Sequence, residues 1–223
     1  EIKKEYVAKA GLWIAKKRYA QWIISDNGVP CDKLDVKGLD VKRSSFPKAF
    51  QECMGKVLID ILKGKSETEI SDYVLDFKKN MINRPTVEIA KNSAVKNLKK
   101  YMPKGKGKRE RFSIMKGTPA HVKASILYND CLKHFKAPFK YEPMKNGDKV
   151  KWVYLKDNPL GIDGLAFTGY SDPPEIAEFI ATYIDHNKIF ERELGHKLQD
   201  FYDAIGWGEV VSEQRTAEKF FNF

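Results

Sequence analysis

The chain has 223 residues, of which 31% are charged and 42% hydrophobic, the composition of a folded globular protein. Its formal net charge of +10 lies in residues 91–123, where eleven basic residues oppose only Glu110, so the rest of the chain sums to zero. Such a local excess predicts contact with a polyanion. No apolar run reaches the ~18 residues of a membrane span, and the dispersed Cys31, Cys53 and Cys131 predict neither disulfides nor a zinc site.

The first predicted elements are two β-strands joined by a tight turn. Residues 17–24 are rich in aromatic and β-branched side chains, which favours a strand, and residues 34–41 predict a second short strand. Between them, Asn27-Gly28 readily adopts the positive φ that a hairpin turn requires. The sequence therefore predicts a β-hairpin near the start of the chain.

Two amphipathic helices are predicted next. Residues 44–47 (Ser-Ser-Phe-Pro) predict a helix start with a hydroxyl cap and proline at the first position. Apolar residues then recur at three- and four-residue steps through residue 62, and Gly64 ends the pattern. Ser66 and Glu69 have the spacing of a capping box for a second helix. We expect the two helices to pack as a pair.

The remaining segments alternate between helix, strand and loop patterns. Residues 104–108 (Lys-Gly-Lys-Gly-Lys) have no apolar face and predict a flexible basic loop. Helices are predicted at residues 119–135, 173–195 and 196–205, and strands at 149–155 and 165–168. These elements predict an α+β fold with a polar tail from residue 206.

The sequence contains none of the common catalytic motifs. Two-metal nucleotidyl transfer needs neighbouring carboxylates, and no Asp-Thr-Asp or similar pair lies on a predicted strand. Walker A loops, nucleophile elbows and zinc-protease motifs are also missing, and the four histidines are isolated. We therefore predict no catalytic residue, metal site or cofactor in this chain.

The segment Lys16-Lys17-Arg18-Tyr19-Ala20 is the strongest local motif. Three cations before an aromatic residue could clamp phosphates while the ring stacks on a sugar or base, and alternation would place Lys17 and Tyr19 on one strand face. A basic strand edge that discourages aggregation is the other interpretation. The residues alone leave both open.

This motif resembles the one with which family B DNA polymerases contact the primer end, at the border between their palm and thumb domains. The resemblance continues in order from about Gly11 to Phe223, with similarity to the polymerases of T-even-like bacteriophages. Its further landmarks are the thumb entry at residues 38–48, the Pro-x-His segment and its helix at 118–129, a turn at 158–161 and a sliding-clamp peptide at 220–223.

The resemblance implies three regions. A short palm β-hairpin occupies residues 1–43, a mostly α-helical thumb with a small β element occupies 44–210, and a flexible tail with the clamp-binding peptide occupies 211–223. The family's catalytic aspartates would precede residue 1, so we expect one part of a split polymerase or a fragment of a longer one. Mg²⁺ is expected in the partner palm segment.

The implied partners are primer–template DNA, an N-terminal polymerase part carrying exonuclease, palm and fingers, and a sliding clamp. No membrane contact is implied, and the expected location is the cytoplasm of an infected bacterial host. The alternative left open is a stand-alone basic nucleic-acid-binding module without an enzymatic partner, which accounts for the charge but not for the ordered landmarks.

The resemblance also assigns residues to the implied contacts. Those expected to bind primer or duplex are Lys16, Lys17, Arg18, Tyr19, Arg43, Ser44, Lys116, His121, Lys123 and Arg192. Charge alone adds the loop residues Lys104, Lys106, Lys108 and Arg109, and the clamp-binding residues are Phe220, Phe221 and Phe223.

Overall fold

The computed structural model describes residues 5–102 and 110–210, and the predicted α+β class is confirmed. The described chain forms two compact units. The first, unit 1, contains residues 5–83 and 190–210, and unit 2 contains residues 84–189. Within the described ranges, no helix is both long and apolar enough to span a bilayer. The functional boundaries expected after residues 43 and 210 stay predictions.

Unit 1 begins with an antiparallel sheet of three strands, not with a two-stranded hairpin. Its strands are β1 (Tyr6–Ala15), β2 (Arg18–Asp26) and β3 (Val29–Lys37), in that spatial order. The Asn27-Gly28 turn is confirmed, with φ of 48° and 84°. The prediction missed β1 because its alanines and glycine obscure the alternation, and it started β3 five residues late.

One face of this sheet belongs to the core of unit 1. Ala20 at the centre of β2 pairs with Leu12 on one side and Val36 on the other, and all three are buried. The neighbouring register positions Trp13, Tyr19 and Lys37 therefore project from the opposite face, because side chains alternate along a strand.

The two predicted helices are α1 (Lys48–Leu62) and α2 (Glu67–Asn80), and they pack as expected. The rings of Phe50 and Phe77 meet with centroids 6.1 Å apart. The helix start at residues 44–47 is corrected, because Pro47 is itself the N-cap and no side chain caps α1. Phe46 and Pro47 are buried at this corner.

The C-terminal part of unit 1 is a π-helical turn (Phe190–Gly195) and the last helix, α7 (His196–Ile205), which packs against β1.

The π-helical turn runs directly into α7, and no other element lies between Phe190–Gly195 and His196–Ile205. A buried hydrogen bond of 2.9 Å joins the Ser71 hydroxyl of α2 to the Tyr202 hydroxyl of α7. After α7, the backbone N–H of Gly208 donates to Glu67 at the start of α2, over 3.1 Å. The end of the described chain is therefore tied to the helix pair of unit 1.

Unit 2 contains a second antiparallel sheet and several helices. Its sheet has the order β4 (Lys91–Ala94), β5 (Lys149–Tyr154) and β6 (Gly164–Phe167), and α4 (Ala120–His134) packs on it. The predictions for α4, β5 and β6 are confirmed to within a few residues. The short elements α3 (Thr86–Ile89) and β4 were not predicted, because four residues are too few to show a period.

The helix predicted for residues 173–195 is wrong as a single element. The structure divides it into α5 (Pro174–Tyr183), α6 (His186–Ile189) and the π-helical turn. Ile184 leaves the helical conformation, with φ −57° and ψ 131°, and forms an isolated β-bridge with Leu155. Strand-like pairing thus interrupts a sequence whose apolar spacing suits a continuous helix.

Candidate nucleic-acid interface

The basic motif of the sequence forms the turn between β1 and β2. Ala15 pairs with Arg18, so Lys16 and Lys17 are the two turn residues, and both are exposed. Lys17 has a φ of 64°, in the left-handed region. The expectation that Lys17 and Tyr19 share a strand face is therefore wrong, because Lys17 lies in the turn and alternation begins only at Arg18.

The backbone after β3 closes against this turn at Gly38. Gly38 has a φ of 65°, and a Cβ atom there would lie 2.2 Å from the Lys17 carbonyl oxygen. Such a distance is far inside van der Waals contact, and the positive φ is itself unfavourable for residues with a side chain. Glycine at this position allows the chain to pass directly beneath the lysine turn.

Tyr19 belongs to an aromatic and basic row on the outward face of the first sheet. It pairs with Trp13 on β1 and with Lys37 on β3. The Trp13 side chain lies across Gly11, where a Cβ atom would be 2.3 Å from the indole ring, yet Trp13 remains 61% exposed. Trp13 was not predicted as a contact residue, because its proximity to Tyr19 follows from the pairing of β1, and that strand was not predicted.

Two ion pairs connect the predicted contact residues to α7. The Arg18 guanidinium donates through Nη2 to Asp200 Oδ2 over 2.7 Å, and this pair spans 182 positions of sequence. Asp40 accepts from Arg43 over 2.7 Å through one oxygen and from Lys197 through the other. Lys197 and Asp200 are three residues apart, so one face of α7 binds both segments.

These five side chains form a charged cluster, which we call the α7 cluster: Arg18, Asp40, Arg43, Lys197 and Asp200. Three cations oppose two carboxylates, and exposed Lys16 and Lys17 add further positive charge at the adjoining turn. The two arginines were predicted from the sequence, but the other three residues were not. Their spacing along the chain carries no signal of contact.

The electrostatics of Asp40 follow from its partners. Partial burial raises the pKa of this carboxyl group, but the hydrogen bonds and charges of Lys197 and Arg43 outweigh burial and leave the pKa below its ordinary value. Asp40 is therefore ionised at neutral pH. Its charge holds Arg43 beside α7 although the Arg43 side chain is 72% exposed.

The segment that carries Arg43 and Ser44 is fixed by backbone contacts. The side-chain amide of Gln51 on α1 donates to the carbonyl oxygens of Arg43 over 2.9 Å and of Phe46 over 2.8 Å. Ser44 is exposed between these two anchored positions. Both predicted contacts therefore lie on an ordered corner that leads into α1.

The remaining predicted residues are distributed over the two units. Lys116 is exposed in the turn from Met115 to Thr118, and Lys123 on α4 pairs with Asp163 over 2.8 Å. Burial, and then the charge of Lys91, lowers the pKa of His121, so its imidazole is neutral at pH 7. Arg192 is exposed in the π-helical turn of unit 1.

Several predicted residues lie outside the described residues. They are the loop residues Lys104, Lys106, Lys108 and Arg109 and the aromatic residues Phe220, Phe221 and Phe223. Within residues 5–102 and 110–210, no three His, Cys, Asp or Glu side chains are grouped so that they could hold a metal ion. The expected absence of a metal site in the whole chain stays a prediction.

Comparison with known proteins identifies the family. Residues 1–203 match the family model of DNA polymerase family B. The chain belongs to DNA polymerase family B. The predicted family is therefore confirmed, whereas the position of this family B chain at the palm–thumb border stays a prediction.

Two curated relatives are DNA-directed DNA polymerases of bacteriophages. The protein of Enterobacteria phage T4 is 26% identical over 200 residues, which cover 88% of this chain and 21% of the relative. The protein of Escherichia phage RB69 is 27% identical over 200 residues, which cover 87% of this chain and 21% of the relative. The family B chain thus spans about a fifth of the length of these relatives.

Proposed function

We propose that this chain is the thumb portion of a replicative family B DNA polymerase and grips the primer–template duplex during template-directed synthesis. The catalytic carboxylates and their Mg²⁺ belong to an N-terminal part that carries exonuclease, palm and fingers. The observation that carries this proposal is the α7 cluster, which brings Arg18 and Arg43 to one helix face beside the exposed Lys16-Lys17 turn.

The turn and the cluster suit contact with a sugar–phosphate backbone. Lysine and arginine side chains neutralise phosphates without distinguishing bases, as a replicative enzyme requires. The bond from Arg18 to Asp200 uses Nη2, and a guanidinium has further N–H donors that can engage a phosphate oxygen. Tyr19 follows directly on β2, where its ring can pack on the sugar of the primer terminus.

The contribution of this chain to catalysis is positional. A primer terminus held at a fixed place lowers the entropic cost of in-line attack on the incoming nucleotide. Asp40 and Asp200 restrict the two arginines before DNA arrives, which reduces the side-chain entropy lost on binding. The metal-dependent step itself takes place on the partner part.

The tail is proposed to bind a sliding clamp through Phe220, Phe221 and Phe223. Each aromatic side chain can bury ~150–250 Å², so three offer roughly 10 kcal/mol of gross hydrophobic stabilisation. Ordering a peptide and losing its translational freedom offset much of that gain. A tether of modest affinity results, which suffices because the polymerase also holds DNA.

Salt dependence of duplex binding tests the grip. With about six phosphates neutralised, log K should fall against log salt with a slope near −5. Replacing Arg18 and Arg43 together with alanine should weaken binding and make the slope shallower by about 2. Lys33→Ala, at an exposed β3 position distant from the turn in sequence, is the control. A flat salt response would refute the proposed grip.

Complementation separates the polymerase proposal from a stand-alone nucleic-acid-binding module. Nucleotide incorporation should require this chain together with an N-terminal family B part that supplies the catalytic carboxylates. Duplex binding without any stimulation of an N-terminal part would favour the stand-alone module.

Deleting residues 220–223 tests the clamp assignment. The deletion should abolish clamp-stimulated long-range synthesis and leave distributive primer binding intact. Unchanged processivity after the deletion would contradict the clamp assignment.

A further inference from the structure

Unit 2 carries a second aromatic and basic surface that the proposed duplex grip does not use. Tyr170, in the loop between β6 and α5, is 88% exposed, and Phe139, in the loop after α4, is fully exposed. Single exposed hydrophobic residues are common. Here Tyr170 lines a basic groove, and Phe139 directly precedes Lys140, which lines the same groove. This combination suggests a partner.

The turn that presents Tyr170 is ordered by a network of hydrogen bonds. Asp172 accepts from the backbone N–H groups of Thr168 and Gly169, each over 2.8 Å. The Thr168 hydroxyl in turn accepts from the N–H of Ser171 over 3.0 Å. Tyr170 is therefore held on a structured loop, which lowers the entropy that it loses when a partner binds.

Tyr170 lines grooves on two sides. One groove has a volume of about 540 Å³ and is lined by Lys140, Met144, Lys149 and Tyr170, among others. The other has a volume of about 300 Å³ and includes Phe167 in its lining. Both volumes lie within the range of ligand sites in proteins, ~300–1,000 Å³.

The charge around the larger groove is positive. Its lining contains three lysines, Lys140, Lys145 and Lys149, and two acidic residues, Glu142 and Asp148, a net of +1. Lys145 engages both acids, with its Nζ 2.8 Å from Glu142 and its backbone N–H 2.7 Å from Asp148. Lys140 and Lys149 are exposed and form no ion pair within the described ranges, although Lys140 Nζ lies 5.0 Å from the centroid of the Tyr141 ring. Both charges can therefore reach an anion.

Exposed aromatic rings together with exposed lysines fit single-stranded nucleic acid. An unpaired base exposes its π-face for stacking, whereas a duplex hides its base faces. A protein partner fits less well, because lysine is depleted at the centre of protein–protein interfaces. We propose that this surface binds single-stranded DNA, with one base stacked on Tyr170, another on Phe139, and the backbone phosphates at Lys140 and Lys149.

Binding of the full chain to a labelled oligothymidylate, measured by fluorescence anisotropy at low salt, tests the proposal. Tyr170→Ala and Phe139→Ala should each weaken binding by about tenfold, the usual range for loss of one stacking contact. Tyr170→Phe should retain affinity because the ring is kept. Tyr6→Ala, which removes an exposed aromatic side chain from β1, is the matched control and should change nothing.

The lysines provide a second readout that does not rely on the aromatic variants. Replacing Lys140 and Lys149 together with alanine should make the salt slope for single strands shallower by about 1.4, or 0.7 for each phosphate contact. Affinity for blunt duplex should stay the same in all these variants. Loss of duplex binding in the Arg18 and Arg43 variant, by contrast, concerns only the proposed grip.

Three outcomes would overturn the proposal. They are unchanged single-strand affinity in Tyr170→Ala, an equal loss for single strands and duplex, and an equal loss in Tyr170→Phe. If Tyr170→Ala instead weakens association with an N-terminal polymerase part and spares oligothymidylate, the surface is a protein interface and the inference is wrong. Circular dichroism and thermal unfolding of each variant identify any that fail to fold, in which case the lysine variant decides.

Discussion

Individual residues set the geometry of the basic turn. Gly38 lies directly beneath Lys17, and both adopt positive φ. A left-handed lysine costs conformational energy, so the surrounding structure must favour it. Two contacts lie next to the turn. The backbone at Gly38 passes close to the Lys17 carbonyl oxygen, and Arg18 forms an ion pair with Asp200.

Gly38→Ala should destabilise the fold by about 1–3 kcal/mol, because the new methyl group meets the Lys17 carbonyl and the positive φ becomes strained. Chemical denaturation measures the change, and duplex binding should weaken with it. Gly28→Ala is the matched control, since Gly28 also has a positive φ but has no atom within 4 Å of its virtual Cβ. Equal effects of the two substitutions would show that the close contact is unimportant.

Asp40 makes part of the stability depend on pH. Its pKa in the folded protein is below the ordinary value of about 3.9. The unfolded state therefore takes up the proton first as pH falls, and stability that is present above about pH 4 is lost as pH falls through the folded-state pKa.

The unfolding free energy should accordingly differ between the unaltered chain and Asp40→Asn at pH 7, with the unaltered chain more stable. The difference should shrink as pH is lowered below about 4, because protonated Asp40 and asparagine are both uncharged. Urea unfolding at several pH values measures it. Asp157→Asn controls for the loss of one exposed carboxylate. A difference that persists at pH 2 would contradict this account.

At the scale of elements, the long helices follow their local sequence closely. The capping box predicted for α2 is present, with the Ser66 hydroxyl accepting from the Glu69 N–H over 3.3 Å and Glu69 accepting from the Ser66 N–H over 3.0 Å. The cap satisfies backbone donors that the helix cannot satisfy itself. Its prediction required only residues within one turn of each other.

Ser66→Ala should destabilise unit 1 by about 1 kcal/mol, through loss of the cap at the start of α2. Thermal or urea unfolding measures the change. Thr68→Ala, two residues further along at an exposed site, is the control and should alter stability by less than about 0.5 kcal/mol. A Ser66→Ala variant as stable as the control would mean that packing alone determines where α2 begins.

At the scale of the whole molecule, α7 connects segments that are distant in sequence. The Arg18–Asp200 pair spans 182 positions and the Asp40–Lys197 pair spans 157. The chain also leaves unit 1 after residue 83 and returns to it at residue 190. The last helix is therefore an integral part of the unit that presents the basic turn.

A double-mutant cycle tests this long-range connection. Arg18→Ala and Asp200→Ala should show a coupling energy of about 0.5 kcal/mol in urea unfolding, a modest value because both side chains are 42% exposed and solvent screens the pair. The cycle of Arg18 with Asp203, one turn further along α7, should give no coupling. A zero result for Asp200 would contradict a stabilising contribution from this ion pair.

Local sequence was sufficient for α1, α2, α4 and the Asn27-Gly28 turn, because each depends on residues that are close together in the chain. The order of motifs along nearly the whole chain was sufficient for the family. Tertiary structure alone decided the α7 cluster, the Trp13–Tyr19 row and the interruption of the helix at Ile184. Those features arise from contacts between residues far apart in sequence. Helical and strand periods report which face of an element is buried, but not which other element covers it.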